Sequence, residues 1–198
     1  MTDTIIDLIR HGEPVGGRNY RGHNIDDPLS EKGWGQMRTA IGDAHPWDLI
    51  ISSPLQRCLA FAQELHQRHN IPLQIEEQFK EVGFGSWEGL SHSQVKQDRA
   101  TEYQAFYQDP VNCRPPGAED LDGFIQRVTQ AYDYHVENNP HKHLLIVSHA
   151  GVTRAILAHT VHAEPLGLYR LKITNGGISR IRFGDQGGML EMLNGQLS

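Results

Sequence analysis

The sequence predicts a three-layer α/β/α sandwich built on a mostly parallel central sheet. Short apolar segments with strand character alternate with segments of helical character, and polar loops follow the strands. A second observation is the run of four consecutive apolar residues at 144–147, which is typical of a strand buried on both faces. The chain has 198 residues and 38% hydrophobic residues, so we expect a single domain over residues 1–198 with a substantial core.

The first half of the chain alternates strands and helices. Ser30 is a suitable N-cap for the first helix, and Pro54 is expected to open the second. The expected elements are, in order, a strand near 4–9, a polar loop over 13–29, a helix from 30 to about 41, a short strand over 48–53, a helix from 54 to about 69 and a weak strand at 73–75.

The second half begins with a segment that has apolar or aromatic residues at helical positions. Pro110 and the Pro-Pro-Gly run at 115–117 interrupt that pattern. The expected elements are, in order, a helix over 92–108, a helix from about 120 to 138, the buried strand at 144–147, a helix over 151–162 and final strands at 173 and at 178–183.

Composition excludes several function classes. The net charge of −6, from 18 basic and 24 acidic residues, argues against broad nucleic-acid binding. Two cysteines make no disulfide framework, and the 12 histidines show no metal-ligand spacing, so we expect neither a metal site nor a cofactor. No signal peptide or apolar span is visible, so a cytoplasmic protein that does not bind membranes is expected.

Arg10, His11 and Gly12 stand where the first strand ends. Ligands of open α/β sheets bind at the carboxyl ends of the strands, and Gly12 is expected to let the backbone turn sharply there. A guanidinium can hold a phosphate, and a neutral imidazole nitrogen can attack phosphorus. The alternative is a strand end with two polar residues that face solvent.

Two later strand ends repeat this arrangement. Arg57 follows the second strand in the first turn of a helix, where free N–H groups favour an anion, although an exposed helix arginine is the commoner case. His149 lies where the buried strand meets the next helix, and a lone histidine there is often bonded only to backbone. Two histidines and two arginines at the strand ends of one sheet together favour an anion site.

The loop over residues 79–89 is rich in glycine and aromatic residues and carries two carboxyl groups, Glu81 and Glu88. A carboxylic acid beside a phosphate can protonate the leaving oxygen. Composition does not choose between the two, and a solvated loop charge is the alternative for either.

Six segments, from residue 8 to about residue 157, carry a resemblance to a known family: LIRHGE, DDPLSEKGWGQ, SSPLQRC, KEVGFGSWEGL, PPGAED and LLIVSHAGVTRAIL. Together they resemble the histidine phosphatase superfamily, also called the phosphoglycerate-mutase-like fold, and within it the α-ribazole phosphatase branch. The resemblance implies a two-step, metal-independent reaction. It also implies a small helical cap formed by an insertion over about residues 91–116.

The resemblance implies roles for the residues that match its motifs. His11 would form a phosphohistidine, and Glu81 would protonate the leaving group and then help water to attack. The other expected roles are phosphate binding by Arg10, Arg57, His149 and the backbone N–H of Ala150, and orientation of groups around His11 by Glu13.

One segment departs from the family. Many members carry Ser or Thr and then Asn after the Arg-His-Gly-Glu run, whereas this chain reads Pro14 to Gly17. Asn19, Arg18 or a backbone N–H of the Gly pair could replace that contact, and the alternatives stay open.

Substrate selection is expected outside the phosphate pocket. Arg21 and His23 are candidates to contact a second anionic group, or they are surface residues. The cap aromatic residues Tyr103, Phe106 and Tyr107 are expected to pack the cap against the sheet more readily than to line an entrance.

The resulting prediction is a hydrolase of small-molecule phosphomonoesters, with α-ribazole 5′-phosphate as the specific substrate. Alternatives are a phosphoglycerate mutase, which the compact chain disfavours, and a phosphohistidine protein phosphatase, which the cap disfavours. A non-catalytic binding protein on the same fold is the least favoured, because the full residue set is present. A homodimer is left open.

Overall fold

A computed structural model describes residues 3–197. Its strands are β1 (Thr4–Arg10), β2 (Leu49–Ser52), β3 (Leu73–Ile75), β4 (His143–Ser148), β5 (Ile178–Gly184) and β6 (Gly187–Gly195). Its helices are α1 (Glu31–Ile41), α2 (Gln56–His69), α3 (His92–Asp98), α4 (Ala100–Gln108), α5 (Leu121–Glu137) and α6 (Ala150–Thr160). Short 3-10 turns occur at Glu77–Phe79, Gly85–Trp87 and Pro165–Arg170.

The strands form one sheet of six, in the order β3-β2-β4-β1-β5-β6. The first four strands in this order pair parallel to one another, whereas β5 and β6 pair antiparallel. A parallel pair requires a crossover, and each crossover here contains a helix or longer segment that covers a face of the sheet. The predicted sandwich with a mostly parallel sheet is therefore confirmed.

Alternating residues of the central strands enter two separate hydrophobic clusters. Leu8 and Ile146 belong to the cluster that includes residues of α5 and α6, whereas Ile9 and Val147 belong to the cluster that includes residues of α1 and α2. Because side chains alternate between faces along a strand, the two clusters are the two faces of the sheet. Both faces are buried, and functional side chains are left to the strand ends.

A buried charge joins three strands on the inner part of the sheet. Asp7 of β1 is 0% exposed, and it accepts hydrogen bonds from Arg180, His143 and Trp47 at 2.7 to 2.9 Å. Burial by itself raises the pKa of this carboxyl, but the hydrogen bonds outweigh it and lower the pKa below its ordinary value.

The structure corrects several predicted boundaries. The helix expected over 92–108 is two helices, because the chain breaks at Arg99 with a φ of −134°. Pro54 does not open α2, which begins two residues later behind the N-cap Leu55. Ile173 is buried but forms no strand, and β6 and the turn at Pro165–Arg170 were not predicted.

The cap segment packs through a small third cluster of buried residues, made of Tyr20, Trp87, Val95 and Phe106. Of the three predicted cap aromatics, Phe106 is 1% exposed, Tyr103 is partly buried and Tyr107 is 41% exposed. Packing is therefore the role of Phe106, whereas Tyr107 reaches the surface. Within residues 3–197, no helix is both long and apolar enough to cross a membrane.

Candidate active site

His11 lies directly after β1 and is 6% exposed. Its backbone N–H donates to Ser148 O at 2.9 Å, which ties it to the end of the neighbouring strand β4. Its Nδ1 lies 2.7 Å from Gly12 O. Because a carbonyl oxygen only accepts, Nδ1 carries the proton and Nε2 keeps the lone pair. The backbone thus selects the tautomer in which Nε2 is the free nucleophilic nitrogen.

The surroundings of His11 keep its imidazole neutral. Burial lowers the pKa of His11 well below its usual value, and the charges of Arg10 and Arg57 lower it further. An imidazolium has no lone pair to attack with, so a depressed pKa keeps the ring in its nucleophilic form at neutral pH.

Gly12 has a different reason from the predicted sharp turn, since its φ lies outside the left-handed region. A Cβ at Gly12 would stand 2.0 Å from Gly33 O in α1, and a Cβ at Gly33 would stand 2.2 Å from Glu13 O. The two glycines let the loop after β1 press against the first turn of α1. This contact fixes the backbone that carries His11.

Two buried guanidinium groups lie beside the histidines. Arg10 Nη1 donates to Ile173 O at 2.6 Å, and its buried Nε has no acceptor among residues 3–197. Burial lowers the pKa of Arg10 to about 10, an effect that the Glu81 carboxylate partly offsets. Arg57 is 1% exposed and donates to the carbonyls of Ile25 and Gly22 at 2.9 and 2.8 Å. Arg57 is thus buried and not the exposed helix arginine of the alternative.

His149, the N-cap of α6, is 0% exposed and faces His11 edge to face, with 5.2 Å between the ring centroids. Its Nε2 lies 2.7 Å from Ser53 Oγ, and Cys58 Sγ lies 3.5 Å from the same nitrogen. Burial lowers the pKa of His149 well below its usual value, and the charge of Arg57 adds to the effect. Ser53 was not singled out from the sequence, although it lies in the SSPLQRC motif.

The Glu81 carboxylate lies at the N-terminus of α6. Its Oε1 accepts from Gly151 N at 3.1 Å and from Val82 N at 3.0 Å. A Cβ at Gly151 would stand 2.2 Å from Oε1, so a glycine is required there. Ala150, the first residue of α6, has a backbone N–H with no acceptor among the described residues, as expected at a helix start.

Arg127 of α5 holds the backbone on which Glu81 stands. It donates to the carbonyls of Gln78 and Lys80, and it forms a bidentate pair with Glu119, whose carboxylate accepts from Gly83 N at 3.0 Å. The sequence offered no signal for this clamp, because α5 is far from the loop along the chain.

The two loop carboxyls have different surroundings. Glu88 accepts from Phe84 N at 2.9 Å and lies against Gly22, where a Cβ would stand 1.9 Å from Glu88 Oε1. Glu88 therefore braces its own loop, while Glu81 faces the helix start next to His149.

The accessory residues occupy positions different from several of the expectations. The Glu13 carboxylate pairs with Lys32 at 3.0 Å and does not touch His11. Arg21 is 7% exposed and spends its nitrogens on Asp27 and on the carbonyls of Gly17 and Val15, so it is neither a surface residue nor a free anion ligand.

His23 is half-buried and lies behind the Glu81 backbone, with its Nδ1 at 3.2 Å from Glu81 O. The expected second-anion contact is therefore not shown for His23 either, because this nitrogen is turned to the loop.

The departure after Glu13 leaves one candidate uncommitted. The Gly17 N–H donates to Pro14 O at 3.2 Å, and the Asn19 amide donates to Gly16 O at 3.4 Å. Arg18 is exposed and makes no hydrogen bond or ion pair with the part of the chain that the structure describes. Its charge lowers the pKa of Arg10.

Metal ligation was also searched over residues 3–197, and no group of three or more His, Cys, Asp or Glu side chains there could hold an ion. The arrangement at the strand ends consists of two neutral imidazoles, two buried guanidinium groups and one carboxylate. Such a set can bind a phosphoryl group, attack it and exchange a proton with its ester oxygen.

Comparison with known proteins assigns this arrangement to a family. The sequence model of the histidine phosphatase superfamily, branch 1, matches residues 6–196. The chain belongs to the histidine phosphatase superfamily. As a member it is a hydrolase of phosphoesters, and its small-molecule substrates are handled at the strand ends described above.

Individual histidine phosphatases agree in sequence and in fold. The adenosylcobalamin/alpha-ribazole phosphatase of Salmonella typhimurium is 30% identical over 192 residues, which cover 94% of both chains. The crystal structure of the alpha-ribazole phosphatase from Shigella flexneri superposes with a TM-score of 0.82 at 28% identity over 96% of both chains. Bacillus stearothermophilus YhfR gives a TM-score of 0.86 at 25% identity over 98% of both chains.

Proposed function

We propose that the chain hydrolyses α-ribazole 5′-phosphate and related small phosphomonoesters through a phosphohistidine on His11. The observation that carries the mechanism is the bond from His11 Nδ1 to Gly12 O, which leaves Nε2 with a lone pair in a buried site that keeps the ring neutral. The relatives named for alpha-ribazole phosphatase activity support the substrate.

In the first step, His11 Nε2 attacks phosphorus and the bond from phosphorus to the ester oxygen breaks. Arg10, Arg57, His149 and the Ala150 N–H hold the phosphoryl oxygens, whose charge grows in the transition state. Glu81 gives its proton to the departing oxygen, so the leaving group departs as an alcohol. The products of this step are the free alcohol, a phosphohistidine and a carboxylate on Glu81.

In the second step, water attacks the phosphohistidine and the N–P bond breaks. The Glu81 carboxylate takes a proton from that water, which restores its acid form. Inorganic phosphate leaves, and His11 returns to the neutral ring with Nδ1 bonded to Gly12 O. Arg18 supplies the pocket contact that the Pro14 to Gly17 segment lacks, because it is the candidate without another partner.

We place the activity in the cytoplasm and keep a homodimer as a prediction. Neither bears on the chemistry, since every residue with an assigned role comes from a single chain.

The test measures phosphate release across a panel that contains α-ribazole 5′-phosphate, both phosphoglycerates and an aryl phosphate. We expect the highest kcat/KM for α-ribazole 5′-phosphate, and loss of at least three orders of magnitude in His11→Ala with every substrate. His45→Ala, which changes an exposed histidine outside the site, serves as the matched control and retains activity. Unchanged turnover in His11→Ala would overturn the mechanism, and transfer of phosphate between glycerate isomers without net release would make the chain a mutase.

A further inference from the structure

The loop after β1 and the cap meet in a stack of two rings. His92, the first residue of α3, lies on Tyr20 with 4.0 Å between the ring centroids and an interplanar angle of 25°. Tyr20 is 4% exposed, and its hydroxyl lies 3.0 Å from that of Tyr107. The lower ring is therefore fixed by the loop on one side and by the cap on the other.

The backbone around the stack is paired and does not depend on the His92 side chain. Asn19 and Ser91 form an antiparallel bridge, and Tyr20 N donates to Leu90 O at 2.9 Å. Ser91 also closes a capping box with Gln94 at the start of α3. The antiparallel register places Arg18 opposite His92, at the rim between loop and cap.

The upper ring of the stack is partly open to solvent. His92 is half-buried, and one face of its ring covers Tyr20. The accessible surface of the ring therefore belongs to its other face and its edges. No hydrogen bond engages either ring nitrogen within residues 3–197, so packing alone orients the ring.

The charges at this rim come from Arg10 and Arg18. Burial lowers the pKa of His92 to about 4, and the charges of Arg18 and Arg10 contribute to the shift. His92 is thus a neutral aromatic ring at neutral pH. Two nearby guanidinium groups also disfavour a cationic leaving group, whereas a neutral planar ring meets no such penalty.

We propose that His92, supported by Tyr20, is a stacking platform for a planar heterocycle on the leaving group. The platform makes the enzyme select phosphomonoesters of nucleoside-like alcohols over those of the bare sugar. This subsite rests on the proposed function, because it acts on the alcohol side of the ester that His11 attacks. The heterocycle extends the two-ring stack to three rings, and the rim charge of Arg18 lies beside it.

The test compares substrates that share one ester and differ only in the base. Ribose 5-phosphate, α-ribazole 5′-phosphate and a purine nucleoside 5′-monophosphate all release phosphate from the same sugar carbon. We expect the wild-type kcat/KM for at least one nucleoside phosphate to exceed that for ribose 5-phosphate by roughly fivefold or more, as base stacking on an aromatic ring provides.

Variants of His92 then isolate the ring. His92→Ala is expected to bring the ratio of the two kcat/KM values close to one through the nucleoside phosphate alone, while His92→Phe keeps the ratio. Lys96→Ala, an exposed change on the same helix, keeps the wild-type ratio. Thermal unfolding of each variant shows whether the cap remains docked, and the Phe variant retains a ring on Tyr20 if the Ala variant is poorly folded.

The outcomes separate the two proposals. A wild-type protein that hydrolyses an aryl phosphate but shows no preference for a nucleoside phosphate overturns the platform and leaves the phosphatase mechanism intact. A preference that survives in His92→Ala overturns it as well. Failure to hydrolyse any phosphomonoester overturns the proposed function itself.

Discussion

The two buried histidines are held by partners of different chemistry. His11 Nδ1 is bonded to a carbonyl oxygen, which permits one tautomer, whereas His149 Nε2 is bonded to the Ser53 hydroxyl, which can donate or accept. A nucleophile needs a fixed lone pair, and a ligand of phosphoryl oxygens benefits from a proton that can redistribute. The bonding pattern of each ring thus suits the role proposed for it.

Glu81 gives the first prediction at this scale. In Glu81→Gln the side chain keeps an acceptor for Gly151 N–H but has no acidic proton. We expect kcat to fall by about 10²–10⁴-fold for an alkyl phosphate and much less for p-nitrophenyl phosphate, whose leaving group needs no proton. Steady-state kinetics on both substrates provide the measurement, with Glu81→Ala as a second variant. Equal losses for the two leaving groups would remove Glu81 from the role of acid.

Single residues also mark how far the sequence could be interpreted. The strand-end motifs placed Arg10, His11 and His149 near one another, and the structure brings them together because β1 and β4 are neighbours. Arg21 resisted interpretation, because a buried arginine that binds carbonyls and a free anion ligand have the same sequence signal. The Arg127 clamp could not be predicted, since its partners are backbone carbonyls on a distant loop.

Among the elements, those with strong local signals were predictable. Apolar runs located β1, β2 and β4, and Ser30 and Asp120 cap their helices through the N–H groups of Gly33 and Gly123. β6 lacked a signal, because it starts with two glycines and leaves Met189 65% exposed. The break between α3 and α4 at Arg99 involves neither glycine nor proline, so no sequence rule marks it.

The glycines of α1 give a prediction for one element. Gly33→Ala is expected to destabilise the protein by about 1–3 kcal/mol, because the new Cβ has to displace the Glu13 backbone. Gly35→Ala, two residues later, has nothing within 4 Å of its Cβ and is expected to stabilise by about 0.5–1 kcal/mol. Urea unfolding of both variants gives the comparison. Equal effects of the two substitutions would contradict the close approach of loop and helix.

Considered as a whole, the chain has one continuous sheet that supports both the site and the cap. We propose that residues 1–198 form a single domain, with the cap as an insertion over about 91–116. The cap contacts the rest through the cluster of Tyr20 and Trp87, and so its docking depends on the same loop that follows His11.

The stability of the whole molecule should depend on pH through its buried histidines. The pKa values of His11 and His149 in the folded protein lie well below 6.5, so below pH 6.5 the unfolded chain binds protons that the folded chain does not. Stability therefore falls as the pH decreases from about 6.5 towards the folded pKa values. At pH 5.5 the loss should be about 1.4 kcal/mol for each histidine relative to pH 7.5.

Urea unfolding at pH 7.5, 6.5 and 5.5 measures this dependence, and His11→Gln should show a smaller slope. Asp7 adds to the loss only at lower pH, because its pKa is lowered and its contribution is present above 3.8 and disappears as the pH falls through the folded value. A free energy of unfolding that stays constant from pH 7.5 to 5.5 would contradict the depressed histidine pKa values.

The position of β1 in the sheet has a consequence for biosynthesis. Its two neighbours, β4 and β5, begin at His143 and Ile178, so the first strand to leave the ribosome finds its partners only after most of the chain has been translated. At about 5–20 residues per second, both edges of β1 remain unpaired for on the order of ten seconds. The nascent chain thus carries its nucleophile early and becomes an enzyme only near the end of translation.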